Sequence, residues 1–83
     1  MTAQKRPQKK LKRGQAVILE GLPPGFIDDL QDEDQRAISA VIGKPVTLNR
    51  YERDGRAELE FTDDEGIIHF IFVHPKFIKE HRE

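Results

Sequence analysis

The sequence predicts a small, mostly β domain with one short helix inserted between its first two strands. Three observations carry this. Residues 56–62 alternate, with Ala57, Leu59 and Phe61 on one face and Arg56, Glu58 and Glu60 on the other, the period of a half-buried strand. Asp54-Gly55 and Asp63-Asp64-Glu65-Gly66 bracket that segment with turn-forming residues. A single helical stripe lies upstream: Ala37, Ile38, Val41 and Ile42 recur at helical spacing.

The first strand is expected over 15–19, where Val17 and Ile18 favour extended backbone. Pro23-Pro24-Gly25 stops it, because proline lacks a ladder donor and fixes φ. The helix is expected over 32–42. Asp32 is placed at its N-cap, with Gln35 as capping-box partner. Glu33 and Asp34 suit the positive end of the dipole. Gly43 is a natural residue just past the C-terminus and Pro45 forbids continuation. Further strands are expected over 46–53, 56–62 and 67–73, the first two joined by a type I′ turn at Asp54-Gly55.

The 67–73 strand is apolar on both faces, so periodicity does not choose between them. Ile68, Phe70 and Phe72 are assigned inward. Ile67, Ile71 and Val73 are assigned to an outer face covered by the helix or by a second copy. The expected core is Val17, Leu19, Ile38, Val41, Leu48, Leu59, Phe61, Ile68, Phe70, Phe72, Phe77 and Ile78. On that assignment Phe70→Ala would cost about 3–5 kcal/mol. A closing 3₁₀ turn is expected near 75–78, giving four to five strands in all.

Gly14-x-x-Val17-x-Leu19, the Asp54-Gly55 hairpin and Val73-x-Pro75-x-Phe77-Ile78 together resemble an SH3-like small antiparallel barrel, over residues 14–78. The resemblance implies a barrel of four to five strands with the helix in the long first excursion. It does not extend to the groove that binds proline-rich peptides. There is no Trp, Tyr51 is the sole tyrosine, and the first loop lacks an acidic-tyrosine motif. The opening Lys12-Arg13-Gly14-Gln15-x-Val17 also resembles the start of KOW-type segments of ribosomal and transcription-factor barrels.

Charge is distributed unevenly. The formal net charge of the 83 residues is −1. Lys5, Arg6, Lys9, Lys10, Lys12 and Arg13 give residues 1–13 a charge of +6 without one acid, which leaves −7 for 14–83. Residues 1–13 are expected to form a disordered basic tail and 14–83 a single domain. A domain this small buries only about 60% of its unfolded surface and is expected to be marginally stable. No cysteine is present for a disulfide or a thiolate metal site. No apolar run long enough for a secretory leader or a bilayer span follows the tail, so a soluble, cytoplasmic chain is expected.

Catalytic and metal chemistry find no support in the residues. His69, His74 and His81 have no spacing that converges on a metal, and the acids around 28–34 and 63–65 lack calcium-loop spacing. No nucleophile elbow, Walker loop or dinucleotide fingerprint is present. Neither an enzyme nor a cofactor is expected. The expected function is a non-catalytic protein-interaction module, a monomer or weak homodimer, whose partner is another protein. Candidate contacts are Phe26 at the Pro-Pro-Gly-Phe tip, Asp28 and Asp29, the apolar pair Ile67 and Ile71, or an exposed edge strand. The alternative is a nucleic-acid- or ribosome-associated accessory protein. It would use Lys5, Arg6, Lys9, Lys10, Lys12 and Arg13 on phosphate, with Arg50, Arg53 and Arg56 as a second basic patch around the 54–55 hairpin.

Overall fold

The computed structural model describes residues 11–81. Five antiparallel strands form one sheet: β1 (Ala16–Leu19), β2 (Pro45–Tyr51), β3 (Ala57–Thr62), β4 (Ile68–Val73) and β5 (Ile78–Glu80), in the order β4-β3-β2-β1-β5. One helix, α1 (Asp32–Val41), lies in the β1–β2 connection, and a 3₁₀ turn (Pro75–Phe77) leads from β4 to β5. β4 and β5 stand at the two ends of the order, so the sheet is open.

The helix forms for the reasons its sequence gives, with a different N-terminus. Asp32 is its first residue, and Gln31 occupies the N-cap without a side-chain bond. Gln35 turns away from any capping box. Its amide donates to the carbonyls of Leu30 (3.0 Å) and Asp28 (3.4 Å), which fixes the loop ahead of the helix. Gly43, at φ +86°, reverses the chain after the helix and donates its N–H to the Leu19 carbonyl at 2.7 Å. Ala37 and Ile38 are buried, Val41 is half-buried, and Ile42 lies outside the stripe, exposed.

Both tight hairpins use one device. Gly55 N–H bonds to the Glu52 carbonyl and Glu52 N–H to the Arg56 carbonyl; Gly66 bonds to Asp63 and Asp63 to Ile67 in the same pattern. Each is a three-residue loop closed by a glycine at positive φ, +95° and +84°. The expected type I′ turn at Asp54-Gly55 is therefore corrected. That turn needs φ > 0 at both residues, and among the described residues no non-glycine adopts it. The aspartates serve otherwise: Asp54 Oδ1 accepts the Arg56 N–H, and Asp63 Oδ1 accepts those of Glu65 and Ile67.

Register follows from these loops. Thr62 pairs with Ile68, which sets Leu59 opposite Ile71 and Ala57 opposite Val73. The inward residues of β3 thus face inward residues 69, 71 and 73 of β4. Ile71 and Val73 are buried, and Ile68 and Phe70 are each 53% exposed. This reverses the face assignment made from sequence. Ile68 and Phe70 leave the core, Phe72 is half-buried, and Ile71 and Val73 enter it. A shift of one residue in register exchanges every side chain between faces. In the β2–β3 pair the register slips between Leu48 and Arg50, so Asn49 is the extra residue of a bulge.

The buried cluster is Val17, Leu19, Ala37, Ile38, Val46, Leu48, Ala57, Leu59, Phe61, Ile71, Val73 and Ile78. Leu22, Phe26, Ile27, Tyr51 and Phe77 pack against it half-buried. Leu11 does too, and its N–H reaches the Tyr51 hydroxyl at 3.3 Å, so contacts with the sheet extend three residues ahead of Gly14.

Candidate functional site: the open edge of strand β4

The sequence-predicted contacts scatter. Phe26 is not an exposed tip: it packs half-buried against the core under the 23–26 turn, whose Phe26 N–H bonds to the Pro23 carbonyl. Asp28 and Asp29 are exposed on the same loop. Ile67 is 52% exposed beside the β3–β4 turn, but Ile71, assigned with it to an outer face, is 6% exposed and belongs to the core.

Of the basic residues, Lys5, Arg6, Lys9 and Lys10 lie outside the described residues. Lys12 and Arg13 are exposed, and Arg13 Nε donates to the Asn49 carbonyl. Arg50 is taken up by Glu58 (3.0 Å) and Glu52 (3.2 Å), and Arg56 by Asp54 (2.8 Å). The Glu58 bond holds the Arg50 guanidinium above its ordinary range. Glu58 itself is held below the usual carboxylate range, first by the Asn49 amide and then by Arg50. Asp54 is lowered mainly by the Arg56 backbone N–H. Arg53 is exposed in the turn. The arginines around this hairpin thus sit among acids that balance them.

Two depressions flank the helix. The larger, about 800 Å³, lies between α1 and the β3–β4 turn. Glu33, Glu60, Asp63, Asp64 and Glu65 line it, with Arg36 and Lys44 among them. Among the described residues no three His, Asp or Glu side chains are grouped to hold a metal ion. The smaller, about 410 Å³, lies beside the helix at the β4 edge and is lined by Phe26, Leu30, Asp34, Ile38, Arg56 and residues 68–72.

His69 sits between the two. Its ring stacks on Phe61 with centroids 5.1 Å apart, its Nε2 is 2.8 Å from Asp63 Oδ2, and its Nδ1 is 3.7 Å from Asp34 Oδ1 on α1. The imidazole thus links the β3–β4 turn to the first turn of the helix. Asp63 is held below the ordinary carboxylate range, first by His69 and then by the Ile67 N–H.

β4 itself is the sheet's distinctive surface. In an antiparallel pair, successive residues alternate between exchanging backbone bonds with the partner and pointing them away. The Asp63–Ile67 bond closes the hairpin, so residues 69, 71 and 73 bond to β3. The N–H and C=O groups of Ile68, Phe70 and Phe72 then point out of the sheet. These are the same residues whose side chains line the outer face. Backbone and side chain thus present one continuous surface, with Glu58, Glu60 and Thr62 opposite them on β3. Nothing on β4 blunts this edge: it has no proline and no bulge, and its sole polar residue, His69, faces the other way.

Sequence reasoning named an exposed edge strand as one option and missed these residues. The signal was present as an apolar excess in 67–73. What hid it was the turn length that decides which face is which.

No protein-family model, curated protein or solved structure matches this chain. Among the described residues no helix is long and apolar enough to cross a membrane.

Proposed function

We propose that this chain is a small, non-catalytic protein-interaction module with an SH3-like barrel as its architecture, and that it takes up an extended segment of polypeptide along the free edge of β4. The observation that carries this is the coincidence at Ile68, Phe70 and Phe72 of outward-pointing backbone groups with apolar side chains on one face, the first two exposed and the third half-buried. Strand addition uses the two together: main-chain bonds supply affinity, and alternate side chains supply selectivity. Large apolar residues gathered on one exposed strand are typical of an interaction site.

Support for the barrel comes from the strand order, in which β5 returns beside β1 after the 3₁₀ turn, and from the Asn49 bulge, which increases twist in the strand that would bend between two halves of a barrel. The nucleic-acid reading has less behind it, since Arg50 and Arg56 are already paired with acids.

The test is a selection of random displayed peptides against the full chain, followed by titration of a selected peptide into isotopically labelled protein. The expected outcome is amide protection at Ile68, Phe70 and Phe72, abolished by Phe70→Lys. If selected peptides map elsewhere and ignore that substitution, the reading fails. RNA binding that survives near-physiological salt and vanishes when Lys5, Arg6, Lys9 and Lys10 become alanine would establish the alternative.

A further inference from the structure

We infer that the strand received by this edge is β4 of a second copy, paired antiparallel about a two-fold axis through Phe70, so that two five-stranded sheets join into one of ten strands. The inference rests on the reading that the β4 edge is an interaction surface, and it names the occupant.

The first argument is register. Backbone groups point outward at residues 68, 70 and 72 only. Placing Phe70 opposite Phe70 of the other copy sets Ile68 opposite Phe72, and Phe72 opposite Ile68. Every outward N–H and C=O of one strand then meets its counterpart. A two-fold contact must be self-complementary in this way.

The second argument is side-chain chemistry. All three residues lie on one face, so the joined sheet carries Ile68 beside Phe72, Phe70 beside Phe70, and Phe72 beside Ile68. Cross-strand aromatic and aliphatic pairs of this kind stabilise a sheet. They would cover the two side chains that are 53% exposed in the single chain.

The third argument is charge. The edge is electrically lopsided. Asp63, Asp64 and Glu65 form the turn ahead of β4, whereas Lys76 follows the strand's other end, its ammonium 5.3 Å from the centre of the Phe77 ring. Antiparallel pairing through Phe70 brings Glu65 of one copy opposite Pro75 of the other, next to Lys76. Acid meets base at both ends. A parallel arrangement would set acid against acid. The whole-chain net charge of −1 leaves little repulsion for association to overcome.

Sedimentation equilibrium of the full chain, from micromolar to millimolar concentration, tests the inference. The expected result is a concentration-dependent dimer of the 9.6 kDa chain. Phe70→Lys is expected to weaken it at least tenfold while leaving the chain folded, with a melting temperature close to the parent's when both are measured at a concentration too low for the dimer. Lys76→Glu and Glu65→Lys should each weaken it, and the two together in one chain should restore it, because the reversed charges meet again across the axis. A merely local role for either residue would give no restoration. Two results overturn the inference: a monomer over the whole range, or a dimer indifferent to Phe70→Lys. If the chain stays monomeric yet a selected peptide still protects Ile68, Phe70 and Phe72, the second copy is excluded and the edge remains the binding surface. If neither a dimer nor a peptide uses the edge, both readings fall.

Discussion

β3 and β4 are the two arms of one hairpin, each six residues long, and they differ in almost everything else. β3 is paired on both sides and alternates strictly: Ala57, Leu59 and Phe61 are buried, while Glu58 and Glu60 on the other face are held by Asn49 and Arg50. β4 is paired on one side and apolar on both faces. The contrast teaches that alternation in a strand reports which face is buried only when the other face is polar. Where both are apolar, the face is set from outside the strand, here by the loop 63–66. It teaches also that the apolar surplus on β4 is not core material. A folding role would have placed Phe70 inside, and Phe70 is more than half exposed.

The largest effect that would break this contrast is in β3. Leu59 is fully buried, so Leu59→Ala should lower stability by about 2–5 kcal/mol, measured by urea denaturation. A loss within error of zero would mean that the buried face has been misassigned.

Gly66→Ala comes next. The glycine sits at φ +84°, where an added Cβ meets no neighbouring atom, so the cost is purely conformational, about 1–2 kcal/mol. Gly66→Asn should recover part of it, because asparagine tolerates this region better than alanine. The readout is the denaturation midpoint.

Acid should act through the same turn. The Asp63 carboxyl titrates below its ordinary value because His69 and the Ile67 N–H favour the charged form. Its contribution to stability is therefore present above the unfolded carboxylate pKa of about 3.9 and is lost as pH falls through the lower folded value. Midpoints measured from neutral pH down to strongly acid pH should fall less steeply for Asp63→Asn than for the parent chain. Equal slopes would remove Asp63 from the hairpin's electrostatics.

The smallest stability effect is expected at Phe70→Ala, less than about 1 kcal/mol, since much of that ring already faces water. A loss of about 3–5 kcal/mol would restore the inward assignment drawn from sequence. Paired with Leu59→Ala, this substitution separates folding from recognition: one should unfold the chain, and the other should leave it folded and less able to associate.

Particular residues show how much was legible beforehand. The Ala37-Ile38-Val41 stripe with Gly43 and Pro45 behind it located the helix to within a residue at its end. Val17, Leu19, Leu48 and Leu59 were legible as core, and all four are fully buried. Phe26 was not legible. It follows Pro-Pro-Gly and looks like a loop tip, yet the loop folds back and the ring packs half-buried on the core. β5 was not located: a count of four to five strands left room for it, but Ile78 was assigned to the closing turn, which ends at Phe77. Ile78-Lys79-Glu80 carries little strand character of its own, and its conformation comes from pairing with Val17 and Leu19. The Asn49 bulge had no local signature at all, since it reconciles two pairings that are each set elsewhere.

The sequence by itself determined most of the elements: one helix, four of the five strands, two glycine-closed turns, and a charge divided between a basic start and an acidic body. These depend on local preferences and on hydrophobic period, which act over a few residues. Only the tertiary structure decided which face of β4 is buried, which strand ends the sheet, and therefore which apolar residues are left for a partner. A single residue of turn length reverses every side chain on a strand, and an edge exists only relative to the strands that have already paired.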